Sequence, residues 1–204
     1  SRLEQRLSSA PDDNSARLDY AVHCLSQAQF HGGGEVWFNR ALTQARRVLQ
    51  ADPASPGALM VAGVSLVGLD RTDHAARYLD EAVRLAPERA DVHLGLGALH
   101  RRDGDRHAAL RELELACRQE PDAWESNWML GKVLQERAEE LGSPRRLVER
   151  SQFHTVRALS LNPSESLAAD MLFQLGQTCV RTGRMEEAHK IFTRLVELPA
   201  YSSK

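Results

Sequence analysis

The stretch 93-HLGLGALHRRDGDRH-107 supports two incompatible readings. Gly95-x-Gly97 could belong to a loop that cradles phosphate, and His93, His100 and His107 recur every seven residues as metal ligands might be arranged. Alternatively, the stretch is the inside of a helix followed by a turn and carries no chemistry. The first reading makes the chain an enzyme or a metalloprotein. The flanking sequence decides between them.

Outward from this stretch, Pro53, Pro87 and Pro121 stand 34 residues apart, closing the phrases RRVLQADP, AVRLAPE and ACRQEPD. Periodicity of this kind takes precedence over short motifs. Laid over each other, the two intervening segments match Gly63 to Gly97, Ala75 to Ala109, Leu79 to Leu113 and Ala82 to Ala116. The next intervals, Pro11 to Pro53 and Pro121 to Pro163, are both 42 residues. The surplus falls around QAQFHGGGEVWF and QERAEELGSPRRLVER. Eight residues are about two helical turns, so lengthened helices, or an ordered hairpin, are expected there. A last unit carries Leu172, Leu175, Gly176, Cys179, Ala188 and Phe192 at the same mutual offsets.

These residues resemble the tetratricopeptide repeat, a 34-residue helix–turn–helix with Leu-Gly in its first helix, Ala-x3-aromatic in its second and a closing Pro. Leu96-Gly97, Leu130-Gly131 and Leu175-Gly176 carry the first signature; Ala75/Leu79, Ala109/Leu113 and Ala188/Phe192 carry the second. The resemblance covers residues 14 to about 199. It implies an all-α chain, a right-handed α-solenoid of about five repeats, with two lengthened to 42 residues. The units are placed at about 14–55, 56–89, 90–123, 124–165 and 166–200. Residues 1–13 read as the closing helix of a partial upstream repeat or as a cap, and suggest a piece of a longer repeat protein. Physically, Ala21, Gly63, Gly97, Gly131 and Gly176 recur where paired helices must approach closely, and Asp103-Gly104-Asp105 and Thr182-Gly183 supply turns. Each unit buries its apolar face only against its neighbours.

In this family the first helices line a concave groove that takes extended or helical peptides. The resemblance assigns two places per unit to it, three residues before the signature Gly and one after. They are Leu18 and Val22, Met60 and Val64, Leu94 and Ala98, Trp128 and Lys132, and Phe173 and Gln177. Met60 and Leu94 stand where the family's carboxylate clamp would want Lys or Asn, so that clamp is not expected. The groove reads as apolar at one end and more polar towards Lys132 and Gln177. Helix-in-groove recognition suits it.

In this register Gly95 and Gly97 sit mid-helix, where backbone amides are already bonded, whereas phosphate needs free amides at a helix N-terminus. His93 and His100 are about 10 Å apart by helical rise, too far to share one zinc, whose nitrogen ligands lie about 2 Å away. Glu139-Glu140 and Glu186-Glu187 read as exposed helical carboxylates, and Arg145, Arg146 and Arg150 as a solvated basic cluster. No metal, cofactor or catalytic residue is assigned. Composition agrees: 42% apolar, 26% charged and 5% aromatic suit helices. A formal charge of −2 gives no reason to expect nucleic acid. The longest apolar run, Ala58 to Leu69, is too short to span a bilayer. Cys24, Cys117 and Cys179 are odd in number and widely spaced, which suits reduced packing thiols in a cytoplasmic protein. The expected function is a non-enzymatic scaffold for a protein or peptide partner. The other reading is a substrate-presenting module of a larger enzyme, such as a glycosyltransferase or a protein hydroxylase.

Overall fold

The computed structural model describes residues 2–9, 12–30, 34–161 and 164–199. Pro11 and Pro163, two marks of the proline spacing, lie outside these residues, as do 31–33 of the glycine run. Among the described residues there are eleven α-helices and no strand. They divide into two compact units, residues 1–119 and 120–204.

The first unit holds α1 (Arg2–Ser9), α2 (Asn14–Phe30), α3 (Gly34–Ala51), α4 (Pro56–Gly68), α5 (Thr72–Leu85), α6 (Ala90–Arg102) and α7 (Arg106–Gln119). The second holds α8 (Trp124–Glu140), α9 (Arg145–Ser160), α10 (Glu165–Arg181) and α11 (Met185–Val196). Helices pair in sequence: α2 with α3, α4 with α5, α6 with α7, α8 with α9 and α10 with α11. The pairs α4/α5 and α6/α7 are each 13 and 14 residues long. By contrast, α2 and α3 have 17 and 18 residues, and α8 and α9 have 17 and 16. The lengthened units thus take up their surplus mainly as about one extra turn per helix.

Local chemistry starts and stops these helices. Asp13 and Asp105 are N-caps: each carboxylate accepts the backbone N–H three residues on, from Ala16 and Ala108, at 2.9 Å. Pro56 opens α4, where its fixed φ suits a helix and its missing donor goes unused. Gly104 and Gly183 adopt the left-handed conformation at the turns, with φ of 84° and 74°. Asp70 takes that conformation after α4, at φ 61°.

Packing within pairs follows the small residues. A Cβ added to Gly63 would lie 2.6 Å from Leu79 Cγ, and one added to Gly97 would lie 2.6 Å from Leu113 Cγ. In the last pair a Cβ on Gly176 would lie 2.5 Å from the Phe192 ring. Ala62 and Ala109 are fully buried packing positions. The apolar run Ala58–Leu69 becomes α4, buried continuously from Gly57 to Val67 because α2, α3, α5 and α6 all pack on it.

The α8/α9 pair departs from this rule. Gly131 faces Thr155, whose hydroxyl would stand 2.6 Å from an added Cβ. Around it runs a polar seam. Ser151 Oγ donates to the Gly131 carbonyl at 2.8 Å, and Thr155 Oγ1 donates to the Ser151 carbonyl at 2.9 Å. The Gln135 carboxamide oxygen lies 3.4 Å from Ser151 Oγ and 3.3 Å from Thr178 Oγ1. Its Nε2 donates to Glu139 at 2.9 Å, and Glu139 pairs with Arg181. Buried polar atoms are tolerated when they are paired in this way.

Candidate functional site

The ten wall positions fall in both units. In the first, Leu18 and Val22 are on α2, Met60 and Val64 on α4, and Leu94 and Ala98 on α6. Met60 and Val64 are only 7% and 5% exposed. The cause is Gly95, where an added Cβ would lie 2.9 Å from Val64 Cγ2 and 3.0 Å from Leu79 Cδ2. The α6 backbone therefore rests directly on α4, and the first glycine of Gly95-x-Gly97 serves packing between repeats as the second serves packing within one. Val22 is exposed, and Leu18, Leu94 and Ala98 are half-buried. Met60 and Val64 offer a ligand little surface.

In the second unit, Trp128, Lys132, Phe173 and Gln177 line one cavity of about 370 Å³ between α8 and α10, with Gln135, Asp170, Gln174 and Arg181 among their neighbours. Phe173 is half-exposed and its ring lies 6.3 Å from that of Phe192. Trp128 is 7% exposed, so most of its indole is core and only an edge is left for a ligand. Lys132 Nζ sits 5.3 Å over the indole ring, within range of a cation–π contact. The Gln135 amide first, then Arg181, hold the Glu139 carboxyl below its ordinary pKa. The cavity therefore combines an accessible aromatic ring, amide donors and acceptors, and charges of both signs.

His93 is a structural residue of a kind that its sequence does not announce. It is buried, with Nε2 2.8 Å from the Pro87 carbonyl and Nδ1 2.7 Å from Glu112. Asn127, 34 residues further on, occupies the same place: its Nδ2 donates to the Pro121 carbonyl at 3.0 Å, and its Oδ1 meets His154 Nδ1 at 3.0 Å. Both side chains reach back to the closing proline six residues earlier and pin the turn between repeats. The shared offset was the legible signal. Among the described residues, no three of His, Cys, Asp and Glu gather as a metal site.

Cys24 and Cys179 are buried and Cys117 is half-buried, and none of the three is in a disulfide. Burial pushes the Cys117 thiol up to about 11, away from nucleophile behaviour. Glu140 and Glu187 form helical ion pairs with Arg137 and Arg184, at 3.0 and 3.1 Å. No helix among the described residues is long and apolar enough to cross a membrane.

Solved structures share this fold. Human IFIT1, as a dimer with PPP-AAAA, superimposes with a TM-score of 0.80 at 16% identity over 96% of this chain and 44% of that one. The chain thus spans less than half the length of the IFIT1 structures it matches. MamA gives a TM-score of 0.64 at 19% identity, over 88% of this chain and 96% of that one. YrrB, described as a TPR protein with an unusual peptide-binding site, gives 0.59 at 16% identity, over 98% and 93%. No curated protein matches the sequence. Two family models described as tetratricopeptide repeat match it, one at residues 38–90 and 61–116 and the other at 169–201, together more than half of the chain. With its paired helices, Leu-Gly contacts and proline-closed turns, the chain belongs to the tetratricopeptide repeat family.

Proposed function

We propose that the chain is a non-enzymatic scaffold that binds a peptide or helix of a partner protein, and that the α8–α10 cavity is its principal contact. One observation carries this reading. Trp128, Lys132, Phe173 and Gln177, which the family resemblance assigns to the groove wall, converge on one cavity from two helices. An aromatic ring that is half-exposed beside a cavity offers contact area at little cost in rotamer freedom. Gln174 and Gln177 supply both donors and acceptors, which suits main-chain amides of a peptide. Glu136 and Asp170 also line the cavity, and with a formal charge of −2 on the whole chain they oppose a polyanion there. The peptide-binding site described for YrrB supports a peptide ligand within this fold.

The test is selection of peptides from a random library on the whole chain, followed by titration of the winners against Phe173→Ala and Gln177→Glu. Gln177 is exposed and its variant should melt with the parent, whereas Phe173 is half-exposed against Phe192, so its loss should cost only ~0.5–1.5 kcal/mol and leave the chain folded. Affinity should fall about tenfold or more, a loss of ~1.4 kcal/mol. Peptides that bind both variants as they bind the parent would place the contact elsewhere.

A further inference from the structure

We propose that the second unit carries an anion pocket, adjoining the α8–α10 cavity and sharing Arg181 with it, that receives a phosphorylated side chain of a protein partner. The pocket measures about 550 Å³ and lies among the turn after α8, the first turns of α9, the end of α10 and the turn into α11. Arg145, Arg181, Arg184 and Thr182 line it, against a single lining carboxylate, Glu149; the Thr182 hydroxyl itself donates to the Thr178 carbonyl at 2.8 Å. Each arginine is paired with one carboxylate, Glu149, Glu139 and Glu187 respectively, and only Glu149 lines the pocket, so the lining itself presents more cationic than anionic groups.

The arginines hold carboxylates through part of their donor sets. Arg145 uses Nε to Glu149 at 2.7 Å, and Arg181 uses Nη1 to Glu139. Arg184 uses Nη1 to Glu187 and Nε to Thr182 Oγ1, both at 3.1 Å. A guanidinium has five N–H donors, so each fork keeps donors for a second acceptor. These pairs are exposed: the Arg145 side chain is 91% accessible and Glu149 57%. Exposed pairs of this kind contribute little, so loosening them opposes binding weakly. A phosphate dianion offers three acceptor oxygens to planar forks that match it in geometry. The same lining is too small and too mixed in charge to track a nucleic-acid backbone, which favours a compact dianion on a protein segment.

The experiment follows the amide and arginine Nε–H resonances of the whole chain during titration with inorganic phosphate and with O-phospho-L-serine, at constant ionic strength. Saturable shifts at Arg145, Thr182 and Arg184 are expected. The double variant Arg145→Gln/Arg184→Gln should weaken them about tenfold while melting with the parent, because both side chains are at the surface. Glu149→Gln removes the competing carboxylate and should tighten binding, and this readout survives if the double variant folds poorly. Shifts that do not saturate, that persist in the double variant or that ignore Glu149→Gln would overturn the site. A single-stranded oligonucleotide that binds through the same residues more tightly than phosphoserine would overturn the protein-segment assignment.

Discussion

Gly97→Ala should destabilise the protein although alanine is the better helix former. The added Cβ would stand 2.6 Å from Leu113 Cγ and 2.7 Å from its Cδ2, whereas carbon atoms pack best at about 3.5–4.0 Å. Cγ is the branch point of a side chain that is 0% exposed, so it cannot swing clear. Overpacking of this kind costs ~1–3 kcal/mol, and the helix preference of Ala over Gly returns ~1 kcal/mol. Two Leu113 carbons crowd the site, which points to the upper part of that range and a net loss of ~1–2 kcal/mol. In a Leu113→Ala background the obstacle is gone. There the same substitution should stabilise by ~1 kcal/mol, the propensity alone. The assay is urea unfolding followed by ellipticity on all four members of the cycle, with midpoints compared only where the slopes agree. A gain of similar size in both backgrounds would refute the close contact between α6 and α7.

Trp128→Ala should cost ~3–5 kcal/mol of stability, the range for a buried aromatic, because the indole is only 7% exposed; denaturant midpoints check this, and a variant that unfolds with the parent would contradict its burial. Asp105 caps α7, and the Ala108 backbone hydrogen bond holds its carboxyl below the ordinary value. A lowered folded-state pKa contributes stability that is present above the unfolded pKa and lost as pH falls through the folded one. Melting temperature should therefore fall less steeply on the acid side in Asp105→Asn than in the parent, since Asn also caps but does not titrate; identical acid limbs would show that the cap carries no such linkage.

The fold was legible because its determinants are local and repeated. A proline every 34 residues, a glycine facing Leu79, Leu113 or Phe192, and a turn built on Gly104 or Gly183 each fix a short segment in the same way wherever they recur. The lengthened helices were legible for the same reason, since a surplus of whole turns preserves the buried face. Two features were hidden by being read singly. His93, read alone, shows only that it is not a metal ligand; its place beside the turn proline emerges from comparison with Asn127, which pins the next turn at the same offset. Thr155 breaks the apolar rule at the Gly131 contact; it bonds Ser151, and Ser151 and Thr178 meet at Gln135, a seam over three helices that no local pattern links.

Whether a wall position is open to a ligand was not legible from its own register, because the neighbouring repeat decides it. Gly95 lies two residues before Gly97, and Gln174 lies two residues before Gly176. The first has no side chain, so α6 settles on Met60 and Val64 and closes them off. The second carries a long amide that lines the cavity between α10 and α8, beside Trp128 and Lys132. Beside the glycine Val64 is closed off, whereas beside the glutamine Lys132 keeps a face on the cavity; Trp128 stays as buried as Met60, at 7% exposed. Sequence periodicity names the face of a helix; the side-chain volume on the next helix determines how much of that face remains for a partner.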